Sequence, residues 1–204
     1  GEGRIFVIDQ PDKSMILKDF IAICASEGIL RSELAMYRAP FTDKIDPETG
    51  HGRVFPDFTF GAQAVEVAVD TETGEVEVLK SVGAHDVGQA INPAAVAGQI
   101  EGGSHMGQGY ALSEELVYEN GQLMSPSFSE YLMPTSMDVP RYQSIILESR
   151  SGLGPFGAKG IGEPALTPVA PAIANAVADA IGTRVFVLPI TPEKIVKAIH
   201  EKTS

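Results

Sequence analysis

The chain has 204 residues, with 15 basic against 27 acidic side chains (formal net charge −12), 44% hydrophobic residues and one cysteine. That acidity argues against nucleic-acid binding or attraction to anionic membranes, the apolar content argues against disorder, and a single thiol excludes an internal disulfide framework. The length suits one soluble domain or one large lobe of a bigger protein, burying about two-thirds to three-quarters of its unfolded surface.

In chain order, the first nine residues carry no long apolar signal core, and no stretch approaches the roughly 18 apolar residues of a membrane span. With the lone cysteine this points to a reducing, cytoplasmic compartment, the periplasm staying open. Ser14 to Gly28 reads as an amphipathic helix, with Ser14 as N-cap, Ile16, Leu17, Phe20, Ile21, Ile23 and Cys24 as its apolar face, and Gly28 at its exit. Asp43 to Arg53 is rich in turn formers and charge and reads as an exposed loop; its acidic spacing is not that of an EF-hand. Gln63 to Asp70 alternates, with Val65, Val67 and Val69 on one face. A turn over Asp70–Gly74 then leads into a second strand over 75–80, which makes an antiparallel hairpin.

His85 and Asp86 follow. Neighbours in an extended chain point to opposite faces, so the pair reads as structural hydrogen bonding, with Asp86 and Asn92 fixing turns, and not as an acid–base dyad. Pro93 to Leu112 reads as a helix in spite of its glycines. Residues 114–119 and 143–148 are candidate strands, 152–162 a loop, 168–181 a helix ending at Gly182, and 185–188 a short strand. A last helix spans 191–199, with Thr191 as cap and Pro192 at its first turn. The irregular interleaving predicts an α+β fold: a mixed or antiparallel sheet with packed helices.

Two glycine-rich segments carry the chemistry. In Ala158-Lys159-Gly160-Ile161-Gly162-Glu163-Pro164 a lone carboxylate stands at a loop-to-helix junction. Glycines there let backbone approach a ligand, nearby N–H groups suit an anion, and a partly desolvated carboxylate with a raised pKa suits a general base. A glutamate that merely complements a helix dipole is the plainer reading. In the second segment, 98–109, Gln99 and Gln108 stand among Gly98, Gly102, Gly103, Gly107 and Gly109. Its amides donate and accept without adding charge. No Gly-Lys-Ser/Thr follows, and the spacing is not that of a dinucleotide fingerprint. Close helix packing through the glycines is the alternative.

Taken together, Phe60-Gly61-Ala62-Gln63, His85-Asp86-Val87-Gly88, Asn92-Pro93, the Gly98 segment, Glu114-Glu115, the Gly160 segment, Ala172-Ile173-Ala174-Asn175-Ala176, Leu188-Pro189 and Thr191-Pro192-Glu193 occur in an order that resembles the molybdopterin-binding large subunit of the xanthine dehydrogenase and aldehyde oxidase family, the molybdenum hydroxylases. The resemblance runs from about Phe55 onward. It implies that residues 1–204 form a single C-terminal lobe of a longer subunit whose N-terminal half holds the cofactor from the other side. It also implies a molybdenum–molybdopterin cofactor, in its simple or cytosine dinucleotide form, with iron–sulfur clusters and FAD on partner chains or modules.

By the same resemblance, Glu163 is the active-site base, Gln99 contacts the pterin, and Lys159, Gly160, Ile161 and Gly162 wrap the metal end mostly through backbone. Gly102, Gly103 and Gln108 serve the phosphate or nucleotide portion, and no side chain of this chain is a metal ligand. The expected activity is oxidation of an N-heterocycle or aldehyde with water as oxygen source, in a multi-subunit enzyme that pairs as a dimer of complexes. Phe156 belongs at the substrate entrance. Two other readings stay open: a non-catalytic lobe that binds no cofactor by itself, and a metal-independent binding domain that uses the Gly98 region as a small-ligand pocket.

Overall fold

The computed structural model describes residues 3–29, 32, 34–40 and 42–203. These fall into two compact units, Gly1–Arg38 and Ala39–Ser204.

In the first unit, strands β1 (Arg4–Val7) and β2 (Gln10–Ile16) pair antiparallel, with Arg4 opposite Ile16 and Phe6 opposite Ser14. Ser14 therefore lies inside a strand, where its hydroxyl accepts from the Arg4 guanidinium at 2.9 Å. Helix α1 starts later than the sequence implies, at Leu17–Ser26, and Ile16 stands at its N-cap with no side-chain bond. The exit does match expectation. Gly28 adopts φ 66°, and the Ile29 amide reaches back to the Cys24 carbonyl at 2.8 Å, a Schellman closure. Cys24 is the buried residue of this helix.

The second unit is built on a three-stranded sheet. Strands β3 (Gly61–Val69) and β4 (Val76–Asp86) form the expected hairpin, and the Asp70 carboxylate accepts from the Glu72 and Thr73 amides at the turn. The register slips between Glu66 and Val67. This bulge resets the parity of β4: Val78 is buried below it, and Ser81 and His85 above it. Helix α2 spans Pro93–Leu112 as expected, with the Asn92 side chain accepting from the Ala95 amide at 3.1 Å.

The candidate strand over 114–119 shrinks to β5 (Tyr118–Glu119), paired with β6 (Gln122–Leu123). The turn between them, Asn120-Gly121, has positive φ at both residues, the geometry that suits two-residue hairpins. Strand β7 (Arg141–Leu147) then pairs parallel to β4, so the sheet is mixed, in the order β3-β4-β7. Helices α3 (Val169–Ile181) and α4 (Pro192–Thr203) complete the unit. Residues 185–188 do not form the expected strand; no sheet edge among the described residues pairs with them.

The sheet buries one face. Helix α3 packs on β3, and α2 lies over β4 and β7. Val78, Val169, Ile173, Val177, Ile190 and Ile195 make the main core, and Val87, Val96 and Ile100 make a smaller one under the N-terminal half of α2. A polar seam separates them, in which the Gln63 amide donates to the Ser81 hydroxyl at 2.6 Å. The architecture is α+β, and no helix among the described residues is long and apolar enough to cross a membrane.

Candidate active site

Helix α2 uses its glycines in two ways. A Cβ at Gly103 would lie 2.7 Å from the Ala165 Cβ, and one at Gly107 would lie 2.5 Å from the Val169 Cβ. Those two positions, one turn apart, seat α2 against the segment that carries Glu163. Among the described residues nothing lies within 4 Å of the Cβ position at Gly98 and Gly102, and the same holds at Gly160. Backbone is thus open to a ligand on one face of α2 and on the loop ahead of Glu163.

Glu163 opens a short 3-10 turn, Glu163–Ala165, and not the long helix itself, which begins four residues after Ala165. Its carbonyl accepts from the Leu166 amide at 3.0 Å and the Thr167 hydroxyl at 3.3 Å, while Ala165 is fully buried. The carboxylate is exposed, contrary to the partial desolvation expected from sequence, and borders a cleft of about 390 Å³ lined by Thr59, Gly61, Glu163, Pro164, Thr167 and Pro168. The loop before it is pinned. The Thr59 hydroxyl donates to the Gly160 carbonyl at 2.8 Å and the Lys159 amide to the Val87 carbonyl at 2.8 Å.

The Lys159 ammonium turns into the protein, 2.8 Å from an Asp86 oxygen, with the two side chains 4% and 14% exposed, and lies 5.6 Å from the centroid of the Phe60 ring. The other Asp86 oxygen accepts from the Gly88 amide at 3.0 Å and the Ser149 amide at 3.3 Å. The Lys159 ammonium first, and then the Gly88 amide, hold the Asp86 carboxyl well below the usual carboxylate range.

Of the residues singled out from sequence, the fold brings Gln99, Gly160, Gly162 and Glu163 together: a Cβ on Gly162 would stand 3.7 Å from the Gln99 Oε1. Gly102 shares the Gln99 face one turn on, Gly103 lies under Ala165, and Ile161 packs at the edge of the smaller core. Gln108 is not brought to Glu163. It stands nine residues, about 14 Å, along α2 from Gln99, buried, with its amide donating to the Asp138 carbonyl at 3.0 Å and its Oε1 lacking a hydrogen-bond partner among the described residues. Phe156 projects from the loop, 82% exposed and at φ 58°.

Asp86 fixes its turn as expected. His85, by contrast, is fully buried without a hydrogen bond to either ring nitrogen from any described protein group. Sequence reasoning missed Thr59 and the Asp86–Lys159 pairing. The co-occurrence of His85-Asp86-Val87-Gly88 and Lys159-Gly160 in the matching segments was the available signal, but 73 residues separate the partners.

The molybdopterin cofactor-binding domain family model matches residues 1–140. The chain belongs to that family. The chain is 30% identical over 202 residues to a putative xanthine dehydrogenase molybdenum-binding subunit of Escherichia coli K12, covering 98% of the chain but 25% of the relative. It is 43% identical over 148 residues to the nicotine 6-hydroxylase large subunit of Paenarthrobacter nicotinovorans, covering 70% and 18%. Its fold matches the aldehyde oxidoreductase of Desulfovibrio desulfuricans with a TM-score of 0.71 at 34% identity, over 87% of the chain and 19% of that structure. The chain thus spans about a quarter or less of the length of these relatives. The segment with Glu163 lies beyond the part the family model matches, yet within the span shared with the Escherichia coli subunit. The residues present fit the family's cofactor, because open backbone at Gly98, Gly102 and Gly160 and the uncharged Gln99 amide offer a polar pterin close approach and paired hydrogen bonding.

Proposed function

We propose that residues 1–204 are the C-terminal lobe of the large subunit of a molybdenum hydroxylase, which oxidises an N-heterocycle or an aldehyde with water as the oxygen source. The rest of that subunit, together with iron–sulfur and flavin modules, completes the enzyme. The substrate class is supported by the relatives, named for xanthine, nicotine and aldehydes. A cytoplasmic location suits the single, buried, unpaired cysteine.

The observation that carries the reading is the Glu163 cleft: a carboxylate at the end of a pinned glycine loop, beside the open glycine face of α2 and the Gln99 amide. When bound, the molybdenum–molybdopterin cofactor supplies two-electron redox chemistry. Gln99 donates to and accepts from the pterin edge through its amide. Gly102, Gly160 and Gly162 leave room for close approach, Lys159 and Ile161 contribute backbone, and Gly103 keeps α2 tight against the Glu163 turn. Glu163 accepts, at a carboxylate oxygen, the proton released by the water-derived nucleophile as it attacks an electron-poor substrate carbon. Phe156 borders the entrance. Because Glu163 is exposed here, exclusion of water from the cleft falls to parts of the enzyme outside this chain.

In the assembled enzyme Glu163→Gln removes the base and keeps the shape. The expected result is a fall in kcat of at least about 100-fold with molybdenum content unchanged. Turnover within a few-fold of wild type rules out this role.

A further inference from the structure

The loop that delivers Glu163 is tied down by a device its catalytic role does not use. Asp86 closes β4, Ser149 follows β7, and Lys159 begins the glycine loop; one carboxylate joins all three, through the Gly88 and Ser149 amides on one oxygen and the Lys159 ammonium on the other. The Lys159 side chain is 4% exposed. An ammonium is taken out of water at a cost recovered only with a partner and good geometry, and a lysine on a surface loop has solvent available to it.

The surroundings reinforce the tie. The Lys159 amide is bonded to Val87, and at Gly88 the chain runs so close to the Gly157 carbonyl that a Cβ would collide with it. Downstream, the Gly160 carbonyl is held by Thr59, and Ala165 is buried against Gly103. Only Ile161 to Pro164 span the gap between these fixed points. The place of Glu163 is therefore set by its flanking anchors, Lys159 and Gly160 ahead of it and Ala165 after it, and of these the Lys159 side chain is the one held by a buried ion pair.

We infer that the buried Asp86–Lys159 pair is a positioning device for Glu163, fixing where its carboxylate stands in the cleft, with the Lys159 side chain serving the loop and not the ligand. The inference rests on the reading of Glu163 as the base. In a site where a displacement of about 1 Å can cost about 100-fold in rate, loosening this anchor acts on kcat more than on substrate binding.

The test uses the assembled enzyme containing this chain and follows three quantities: kcat and KM, molybdenum content, and amide hydrogen exchange of the peptide spanning residues 157–166. Lys159→Met is expected to lower kcat about 10- to 100-fold, to change KM by less than about 3-fold, and to speed exchange in that peptide at least about 10-fold, while exchange in α3 stays unchanged. Should this variant fail to assemble because Asp86 is left charged and unpaired, the pair Asp86→Asn/Lys159→Met removes both charges and retains the carbonyl oxygen that Gly88 needs. It is expected to load the cofactor and still show the kcat loss and the faster loop exchange. Wild-type kcat and loop exchange in the double variant overturn the inference, since the pair then only avoids an unpaired charge. Glu163→Gln separates the two claims: wild-type turnover there removes the reading of Glu163 as base, whereas its loss alongside an unaffected double variant removes only the positioning role.

Discussion

Desolvation holds His85 in its neutral form: the ring is fully buried, and that burial lowers its pKa from the ordinary 6.5. Room for it comes from the neighbouring strand, where a Cβ on Gly61, its register partner, would collide with Nδ1. Because the folded pKa is depressed, the unfolded chain binds more protons once pH falls below about 6.5, so stability declines on acidification by at most about 1.4 kcal/mol per pH unit from this group. Asp86 acts in a lower window: its depressed carboxyl contributes stability above its ordinary value of 3.8, and this is lost as pH falls from there. Thermal midpoints of wild type and His85→Phe between about pH 7.5 and 5.5 check the first statement. Wild type is expected to lose more stability over that range than the variant, and parallel curves rule it out. That His85 and Asp86 face opposite ways was legible from the period of a strand. The Lys159 partner was not, because nothing local encodes a contact across 73 residues.

Among the elements, α2 was read to the residue, since Asn92, Pro93 and the following apolar positions mark it locally. The parallel pairing of β7 with β4 was not legible, and neither was the hairpin that takes Ser14 out of the α1 cap. Both depend on which distant edge a segment meets, as does the failure of 185–188 to form a strand. The glycines of α2 illustrate a similar limit, because sequence gives their number but not which of them pack. Their split yields opposite expectations for one substitution. Gly107→Ala overpacks against Val169 and is expected to destabilise by about 1–3 kcal/mol, less up to about 1 kcal/mol of gained helix propensity. Gly102→Ala meets open space, so the cofactor-free protein gains up to about 1 kcal/mol, while molybdenum per subunit falls because the methyl enters the approach face. Thermal midpoint and metal content together read the contrast; a Gly102→Ala enzyme with full molybdenum content removes that face from the cofactor site.

Across the whole molecule, apolar surface and charge act against each other. Phe186 is 87% exposed, beside a groove of about 550 Å³ lined by Tyr110, Leu166, Ala170, Ala174 and Leu188, and Phe55, Phe58 and Phe60 are each 69% exposed. Apolar side chains of this size left in solvent favour association with other apolar surfaces. Opposing its self-association is the net charge of −12, a long-range repulsion that acts between like chains over about 30 Å in 0.01 M salt and about 3 Å in 1 M. Hydrophobic contact is not screened in this way. The isolated chain, its folding checked by circular dichroism, is therefore expected to sediment as a smaller species in 0.01 M than in 1 M sodium chloride, and Phe186→Ser is expected to weaken the high-salt association. Association by ion pairs has the opposite sign, with larger species at low salt that dissociate as salt is added. That outcome would mean that charged patches, and not the Phe186 groove, dominate how this chain meets other surfaces.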